Sequence, residues 1–486
     1  MAEGLLTRRQ ALTRMGVAGL VLTGATSALP GCGSGSDPSG APPVQPTTTP
    51  VLGAPNVLLI VADDMRFDHL QLMPNVRRLI ADEGRSFTQA RCNVPLCQPS
   101  RVALFDGQLS KHNGEVGVGY AGTRLDHDNG LVRWMSDAGY RCGLFGKYIN
   151  ATDGKGGIDA PAGFDEWREI LVERSATDFD VHLNNGTATI TDRYPTDYLA
   201  AEALSFLEGD GPTLCIVTPT QPHAPSMPRS DLADDWSDLE WPIVDEVDVS
   251  DKPAWIQALP PLTEDDQETI RQDVVGAARE LSAVDDMVAK LLAGMDEATL
   301  ATTVVIFTSD NGVHHGEHRR QGPATKSGPY EVGLHVPLLV RGPGFEPGPD
   351  VTAPSLAFQD ITATILQLGG ATPGLPHQAG MSLAELGADP ASHDDRILLH
   401  EIGGGFVDRS FDGSTGDGIT TGPQSRLGFR KLYRYPSVRM RPEGPFTYEA
   451  YDLDTDPDEL SSWADDPARQ GERDALEAEL LALRNA

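Results

Sequence analysis

The sequence predicts an α/β fold in which helices cover both faces of a sheet, followed by a smaller C-terminal α+β region. Three apolar segments indicate buried strands that end in polar residues, namely NVLLIVADD, TLCIVTPTQPHAP and TTVVIFTSDNG. Helical patterns lie between them, as in PNVRRLIADEG and DVVGAARELSAVDDMVAKLLAGM. Strands that alternate with helices along the chain are typical of α/β proteins.

Length and charge limit the classes of protein and partner. The chain has 486 residues, which is enough for one large domain and a smaller one. Its hydrophobic fraction of 39% and charged fraction of 22% are those of a globular protein. A net charge of −33 repels nucleic acid and anionic lipid within a Debye length of roughly 10 Å, so nucleic acid is not an expected partner.

Residues 1–32 are predicted to be an export signal of bacterial type. Arg8-Arg9 precede an apolar run from Met15 to Leu29, which is shorter than the roughly 20 residues that span a bilayer. We therefore expect a twin-arginine signal. The run ends in LPGC, which resembles a lipoprotein cleavage site and predicts a lipid on Cys32. The alternative is cleavage nearby, with Cys32 removed or free.

The remaining chain divides at two changes of composition. Residues 33–54 are rich in Gly, Ser, Pro and Thr and predict a flexible tether. The main domain is expected over residues 55–388. Residues 389–486 are expected to form the smaller subdomain, because RILLHEI, RLGFRKLYRY and YEAYDLD predict antiparallel strands and GERDALEAELLALRN predicts an amphipathic helix. No further membrane span is predicted. Because residues 1–32 predict export, the protein is expected at the cell surface or in a periplasm-like space.

The cysteines do not form the pattern of a disulfide scaffold or of a zinc motif. Cys142 and Cys215 lie in short apolar runs, which predicts buried thiols in strands. Cys97 lies in NVPLCQPSR with only Cys92 nearby. From the residues alone it is half of a disulfide, a buried core thiol or a reactive side chain.

Acidic and amide side chains follow two of the predicted strands. Asp63-Asp64 end the first strand and Asp310-Asn311 end the last, and ligands of α/β sheets bind at the carboxyl ends of strands. His223 follows the strand between them along the chain. Oxygen ligands of this kind suit a hard divalent cation. The alternative is that these Asp and Asn residues only cap loops.

Six motifs resemble those of the type I sulfatases and occur in the same order. They are VLLIVADD, CQPSR, GKYIN, PHAP, TSDNG, and KSGPYE followed by HVPLLVRGPG. The resemblance extends from about Asn56 to YDLDTDPDE near the C-terminus. GKYIN and TSDNGVHHG are most similar to the branch of N-acetylglucosamine-6-sulfatases and extracellular heparan sulfatases. The family implies an alkaline-phosphatase-like fold with a large, mixed, mostly parallel sheet, and it implies a sulfuric ester hydrolase.

The resemblance also gives Cys97 a role. In the family this cysteine is oxidised to formylglycine, an aldehyde, by a formylglycine-generating enzyme. A serine that accepted sulfate would form another stable ester. A hydrated aldehyde has two hydroxyl groups, so that one can attack sulfur and the other can expel sulfate and restore the aldehyde.

Further roles are carried over from the family by position. A single Ca²⁺ would be held by Asp63, Asp64, Cys97 as formylglycine, Asp310 and Asn311. Arg101 and Lys147 would stabilise the hydrate and the sulfate charge, and Lys326 would be the second lysine that binds sulfate. His223 would protonate the leaving alcohol.

The chain departs from the common family pattern at one proton carrier. Many members have a histidine two residues after the lysine matched by Lys147, and this chain has Ile149 there. His314 in DNGVHHG matches the histidine of the glucosamine-sulfatase branch. His112 and His315 are weaker candidates for the base.

Sulfated sugars of the 6-sulfated glucosamine type are the expected substrates. The charge of −33 favours short sulfated sugars over a long sulfated polymer. Aryl or alkyl sulfates are alternatives, and so are the phosphoesters or phosphonates hydrolysed by related enzymes. A surface lipoprotein that binds without catalysis is a further alternative, against which the intact CQPSR motif and metal residues argue.

Overall fold

The computed structural model describes residues 53–118, 124–149, 159–320, 325–402, 416–436 and 446–486. The predicted signal with Cys32, nearly all of the tether, and Asn150 lie outside these residues. Within the described ranges, no helix has both the length and the apolar character needed to cross a membrane.

Nine strands form the main sheet and two more form a small parallel pair. The strands are β1 (Asn56–Ala62), β2 (Gly84–Ser86), β3 (Ala90–Arg91), β4 (Arg141–Gly146), β5 (Glu166–Glu173), β6 (Phe179–Leu183), β7 (Gly186–Ile190), β8 (Thr213–Thr218), β9 (Thr303–Ser309), β10 (Leu338–Arg341) and β11 (Ser355–Leu356). The main sheet has the order β2-β10-β9-β1-β8-β4-β5-β6-β7, and β11 pairs with β3. β1 runs parallel to β8 and β9, whereas β10 is antiparallel to β9. The predicted fold class, with a mixed sheet that is parallel at its centre, is confirmed.

Both faces of the sheet are buried under helices. Val57, Leu59 and Val61 of β1 pack in one core, and the alternate residues of the same strand pack in a second core. The first core is covered by the helices Cys97–Asp106, Leu131–Asp137, Ala357–Gly369 and Leu383–Ala388. The second is covered by the helices Pro195–Leu207 and Glu264–Gly294. A strand buried on both faces has a continuous apolar sequence, which explains NVLLIVA and TVVIFTS.

The longest helix, Glu264–Gly294, begins at a capping box and is hydrogen-bonded to the segment that follows β1. Thr263 and Asp266 exchange hydrogen bonds at its N-terminus. Asp285, near its middle, accepts hydrogen bonds from the backbone N–H groups of Asn75 and Val76 at 2.9 and 2.8 Å. Among the described residues before the C-terminal sheet, the other α-helices are short: Pro74–Val76, Ser110–Asn113, Ala254–Gln257, Glu297–Ala301 and Glu331–Leu334.

A second sheet forms the C-terminal part of the fold. It is antiparallel and consists of β12 (Leu398–Ile402), β13 (Gly416–Thr420), β14 (Arg430–Pro436) and β15 (Phe446–Asp452). The final helix, Gln470–Asn485, buries Leu476 and Leu480 against it. The predicted smaller α+β region is therefore present. Its exact start at residue 389 stays a prediction.

The C-terminal sheet is bonded to the main domain beside the CQPSR motif. Asn93 Nδ2 donates to the carbonyl of Leu399 at 2.7 Å, and the N–H of Glu401 donates to the carbonyl of Asn93 at 3.0 Å. Lys431 Nζ of β14 lies 3.1 Å from Glu331 Oε1, at the start of the helix Glu331–Leu334. The subdomain thus supports the two segments that carry Cys97 and Lys326.

Candidate active site

The parallel pairing of β1 and β9 brings the two acidic motifs together. Ala62 is level with Ser309 in this pair, so Asp63 and Asp310 leave the sheet at the same edge. The N–H of Asp64 donates to Asp310 Oδ1 at 3.1 Å, and Asn311 Nδ2 donates to Asp64 Oδ1 at 2.7 Å. All four side chains are buried. The expectation that these residues meet at a strand edge agrees with their geometry.

This cluster has the donor chemistry of a calcium site. Carboxylate oxygens of Asp63, Asp64 and Asp310 lie within 4.8 Å of one another. Asn311 Oδ1 is buried and has no hydrogen-bond partner among the described residues, so a cation would satisfy it. Hard oxygen donors suit Ca²⁺, and the residues present therefore fit this ion.

Cys97 is the first residue of the helix Cys97–Asp106 and points into the same cluster. Its Sγ lies 3.6 Å from Asp63 Oδ1 and 2.9 Å from Lys326 Nζ. Burial raises the pKa of the Cys97 thiol to about 12, although Lys147 and Lys326 oppose the shift. The thiol is thus almost fully protonated at neutral pH and is a poor nucleophile. The location of the side chain suits catalysis, but the unmodified thiol does not.

Three cationic side chains balance the negative charge of the three aspartates. Arg101, one helical turn after Cys97, donates from Nε to Asp310 Oδ2 at 2.8 Å. Lys147 Nζ donates to Asp63 Oδ2, and Lys326 Nζ lies 2.5 and 2.7 Å from the two carboxylate oxygens of Asp64.

Neighbouring basic side chains control the ionisation of Asp63. Burial favours the neutral carboxyl, but Lys147, His223, Arg101 and Lys326 outweigh it, so the pKa of Asp63 falls well below its usual value. Asp63 is therefore ionised and available to a cation.

Lys147 depends on the glycine before it. Gly146 ends β4 with φ +120°, and a Cβ there would lie 2.0 Å from the carbonyl oxygen of Thr218. That carbonyl accepts the N–H of Lys147 at 2.7 Å. Only glycine permits this approach of β4 to β8, which directs the lysine to Asp63.

His223 follows β8 and faces the cluster from the more open side. Its Nδ1 donates to the carbonyl of Ala224 at 2.6 Å, so Nε2 is the atom that remains for proton transfer. Nε2 lies 3.7 Å from Asp64 Oδ2, and the side chain is 32% exposed. Glu280 holds the following segment by accepting the N–H of Met227 at 2.6 Å.

The candidate bases are less directly placed. His314 Nδ1 faces the carbonyl of Thr325 at 3.1 Å, and its buried Nε2 has no hydrogen-bond partner among the described residues. Burial lowers the pKa of His314 well below its usual value, so its ring is neutral. His112 stacks on His377 at 4.2 Å between ring centroids.

His315 Nε2 lies 3.1 Å from His69 Nε2, in a separate buried pair. The structure therefore brings together all predicted metal residues, Cys97, the three cations and His223. In the described part of the chain, His112 stacks on His377, and the ring of His315 lies against those of His69 and Trp241.

Two features of the site could not be found from sequence spacing. Ser100 Oγ donates to the carbonyl of Asp310 at 2.5 Å and ties the CQPSR helix to the segment that follows β9. Ligand atoms of Asp63, Cys97 and His223 also lie within 4.8 Å of one another. These three residues are far apart in the sequence, so no Cys/His spacing signals them.

The fold is of the alkaline-phosphatase-like α/β type, with an acidic cluster where β1 and β9 end. The sequence profile of the sulfatase family matches residues 55–371, and the chain belongs to this family of sulfuric ester hydrolases.

The relatives support the same branch as the motifs. The extracellular sulfatase SULF-1 homolog of Drosophila melanogaster is 28% identical over 360 residues, which are 68% of this chain and 31% of that protein. The chain thus spans less than a third of that relative's length. The N-acetylglucosamine-6-sulfatase of Homo sapiens is 26% identical over 379 residues, or 72% of this chain and 68% of that protein.

Solved structures show the fold alone. BT4656, in complex with its substrate D-glucosamine-2-N,6-O-disulfate, superposes with a TM-score of 0.74 at 20% identity, covering 89% of this chain and 98% of that one. A phosphonate monoester hydrolase from Silicibacter pomeroyi superposes with a TM-score of 0.69 at 20% identity, covering 88% and 95%.

Proposed function

We propose that the chain hydrolyses sulfate monoesters of short sugars through a formylglycine formed from Cys97. The ligands of Ca²⁺ are proposed to be Asp63, Asp64, Asp310, Asn311 and the modified Cys97. The observation that carries this proposal is the convergence of Cys97, three cationic side chains and an acid cluster at one sheet edge. Such a site accepts an anion directly beside a nucleophile position.

The two groups to be added supply distinct chemistry. The hydrated aldehyde supplies a hydroxyl nucleophile together with a second hydroxyl for release of sulfate. A calcium ion held by these residues would supply positive charge that stabilises the sulfate and the ionised nucleophile. The clustered carboxylates support calcium at this position, and so does Asn311 Oδ1, which has no hydrogen-bond partner within the described ranges.

The side chains of the protein itself do the remaining work. Lys147 and Lys326 neutralise sulfate oxygens. Their ammonium groups contact Asp63 and Asp64, which border Cys97, so both lie next to the position of the sulfate group. Arg101 fixes Asp310 through Nε. Its Nη2 lies 3.7 Å from Asp63 Oδ2 and has no hydrogen-bond partner among the described residues. His223 gives the proton on Nε2 to the leaving alkoxide oxygen, because Nδ1 is committed to Ala224. The base for release is proposed to be His314.

The substrate proposal is a 6-sulfated glucosamine unit. It is supported by the relatives named N-acetylglucosamine-6-sulfatase and by the fold shared with a protein bound to D-glucosamine-2-N,6-O-disulfate. The net charge of −33 supports short saccharides over long sulfated polymers.

A second candidate activity is hydrolysis of phosphonate or phosphate esters. The superposition with a phosphonate monoester hydrolase supports this candidate, because the two proteins share the fold. The test is therefore comparative. Purified protein should be assayed against glucosamine 6-sulfate, a short sulfated oligosaccharide, nitrophenyl sulfate and a phenyl phosphonate ester.

We expect the sugar sulfates to give the highest kcat/KM. In protein from a host with a formylglycine-generating enzyme, the tryptic peptide CNVPLCQPSR should be lighter by about 18 Da than the thiol form, and Cys97→Ala should be inactive. Full activity with an unmodified thiol would refute the formylglycine part. A preference for the phosphonate ester would replace the sulfatase proposal by its alternative.

The surroundings of the enzyme are also proposed. We infer export through the twin-arginine signal in residues 1–32, a tether over residues 33–54 and contact with a membrane only through a lipid on Cys32. The extracellular names of two relatives support an exported location. The domain limits 55–388 and 389–486 are proposed from the changes of composition along the chain.

A further inference from the structure

We infer that the chain whose Cys97 is still a thiol has a second metal specificity, for zinc-type cations, with Asp63, Cys97 and His223 as ligands. This state is distinct from the proposed enzyme, in which residue 97 offers oxygen. Carboxylate oxygen, thiolate sulfur and imidazole nitrogen are the ligand set that Zn²⁺ prefers and Ca²⁺ does not.

The distances suit a tetrahedral ion. Zinc bonds of about 2.0 Å to oxygen and about 2.3 Å to sulfur place the two ligand atoms about 3.5 Å apart. Cys97 Sγ and Asp63 Oδ1 are 3.6 Å apart. One ligand atom from each of Asp63, Cys97 and His223 fits within a set of mutual distances below 4.8 Å, so closure around an ion requires movements of about 1 Å.

His223 is already oriented as a metal ligand. A histidine that binds a metal through one ring nitrogen commonly donates its other N–H to a carbonyl or carboxylate. Nδ1 of His223 donates to the carbonyl of Ala224 at 2.6 Å, which leaves the lone pair of Nε2 directed towards the cluster. Because His223 is 32% exposed, its ring can make the remaining adjustment.

The two neighbouring lysines permit a metal ion to replace the proton of the Cys97 thiol. Lys326 Nζ, now 2.9 Å from Cys97 Sγ, must move away from the sulfur but can keep its contacts to Asp64. Lys147 binds the other oxygen of Asp63 and need not move. On binding, the thiol releases its proton to solvent and forms one metal–sulfur bond, without any oxidation. A water molecule or Asp64 can complete four-coordination.

This state is catalytically silent. The zinc ion occupies Nε2 of His223, which the proposed mechanism needs as the proton donor. It also occupies the sulfur at the position of the nucleophile. A chain that folds with its thiol unmodified is therefore a metal-bound, inactive form.

The test compares two forms of the same full-length chain, so that no mutation is needed for the main result. Protein with a thiol at residue 97 and protein with the aldehyde are separated by the mass of their peptides, and each is titrated with Co²⁺ in excess Ca²⁺. We expect the thiol form alone to show a thiolate-to-cobalt charge-transfer band. Zn²⁺ should bind the thiol form at least about a hundredfold more tightly than the aldehyde form.

Variants of the thiol form locate the ligands. Cys97→Ser should abolish the band, and His223→Ala should weaken cobalt binding about tenfold or more. Cys92→Ala is the matched control, because Cys92 is also buried nearby but its Sγ faces the carbonyl of Gly333, and it should keep the band. Equal binding by thiol and aldehyde forms, or a band that survives Cys97→Ser, would overturn the inference. Neither outcome would bear on sulfatase activity of the aldehyde form.

Discussion

At the scale of the residue, His223 is the side chain whose chemical role can be separated from substrate binding. Its Nε2 faces the cluster from the exposed side, whereas the lysines and Arg101 lie deeper. A proton donor matters most when the leaving alkoxide is poor and matters little for an activated aryl group.

His223→Ala should therefore lower kcat for a sugar 6-sulfate about 10² to 10⁴-fold and have a much smaller effect on nitrophenyl sulfate. The measurement is kcat and KM for both substrates. If the losses on the two substrates are equal, His223 is not the general acid. His377→Ala is a suitable control, since that ring stacks on His112 and not on the acid cluster.

At the scale of the element, the segment that carries His223 is held by a buried carboxyl group. Glu280, on the helix Glu264–Gly294, accepts the N–H of Met227. Burial raises the pKa of Glu280 to about 8, helped by the charge of Glu173. Glu280 is then protonated in the folded protein at pH values where the unfolded chain, with a pKa of 4.5, has lost the proton.

The sign of the pH effect follows from this difference. The folded state binds more protons between pH 4.5 and about 8, so the contribution of Glu280 to stability is full below that range and is lost as the pH rises through it. Glu280→Gln should therefore flatten the fall of the melting temperature between pH 5 and 8.5, by about 2 °C or more.

Glu268→Gln on the same helix is the matched control, because its side chain is exposed. Its curve of melting temperature against pH should run parallel to the wild-type curve. A Glu280→Gln curve that also runs parallel to the wild type would show that Glu280 titrates at an ordinary pH in the folded protein.

The stability of the C-terminal sheet is expected to depend on a buried lysine of β14. Lys431 of β14 lies between Glu331 and Glu459, with Nζ distances of 3.1 and 2.7 Å, and all three side chains are buried. Lys431→Met would remove the cation paired with Glu459 and one of the two paired with Glu331, which keeps Arg91 at 2.7 Å. A buried charge left uncompensated typically costs about 3 to 5 kcal/mol. We expect a loss of this size in urea unfolding, and a partial recovery in Lys431→Met combined with Glu459→Gln.

Lys290→Met provides the comparison, since Lys290 pairs with Asp197 at a half-exposed position. Exposed ion pairs contribute little, so this variant should unfold close to the wild-type urea concentration. Similar losses for Lys431→Met and Lys290→Met would contradict a special role for the buried group.

The elements differ in how well sequence predicts them. β1, β8 and β9 could be predicted because strands buried on both faces have continuous apolar sequences. β13 was not predicted, because GDGIT contains two glycines and has little strand propensity. It forms because β12 and β14 pair with it on both sides.

The site was predictable where residues follow strand ends or match motifs. Asp63, Asp310 and Cys97 are of this kind. The bond from Ser100 to Asp310, the buried Glu280 below the His223 segment, and the cluster of Asp63 with Cys97 and His223 depend on the packing of distant segments. Such contacts leave no periodic signal in one sequence.

At the scale of the whole molecule, the net charge of −33 should govern which substrates reach the site. A long sulfated polymer is repelled over many charges, whereas a sulfated monosaccharide has one or two. Raising the ionic strength from about 0.02 to 0.2 M shortens the Debye length roughly threefold.

We therefore expect kcat/KM for a sulfated polymer to rise several-fold, about 3 to 10, over this range of salt. The value for glucosamine 6-sulfate should change by less than about twofold. Steady-state assays at constant Ca²⁺ activity measure both. A fall of kcat/KM with salt for the polymer would instead reveal a local positive groove that attracts it.

The bond between Asn93 and Leu399 has a consequence for the timing of synthesis. These partners are separated by 306 positions in the chain. At 5 to 20 residues per second, a ribosome needs roughly 15 to 60 s to travel that distance. Until then the C-terminal sheet cannot close over the segment that contains Cys97, which is only 1% exposed once packed. If Cys97 is converted to formylglycine as proposed, an oxidising enzyme would have this interval in which to reach the cysteine on the nascent chain.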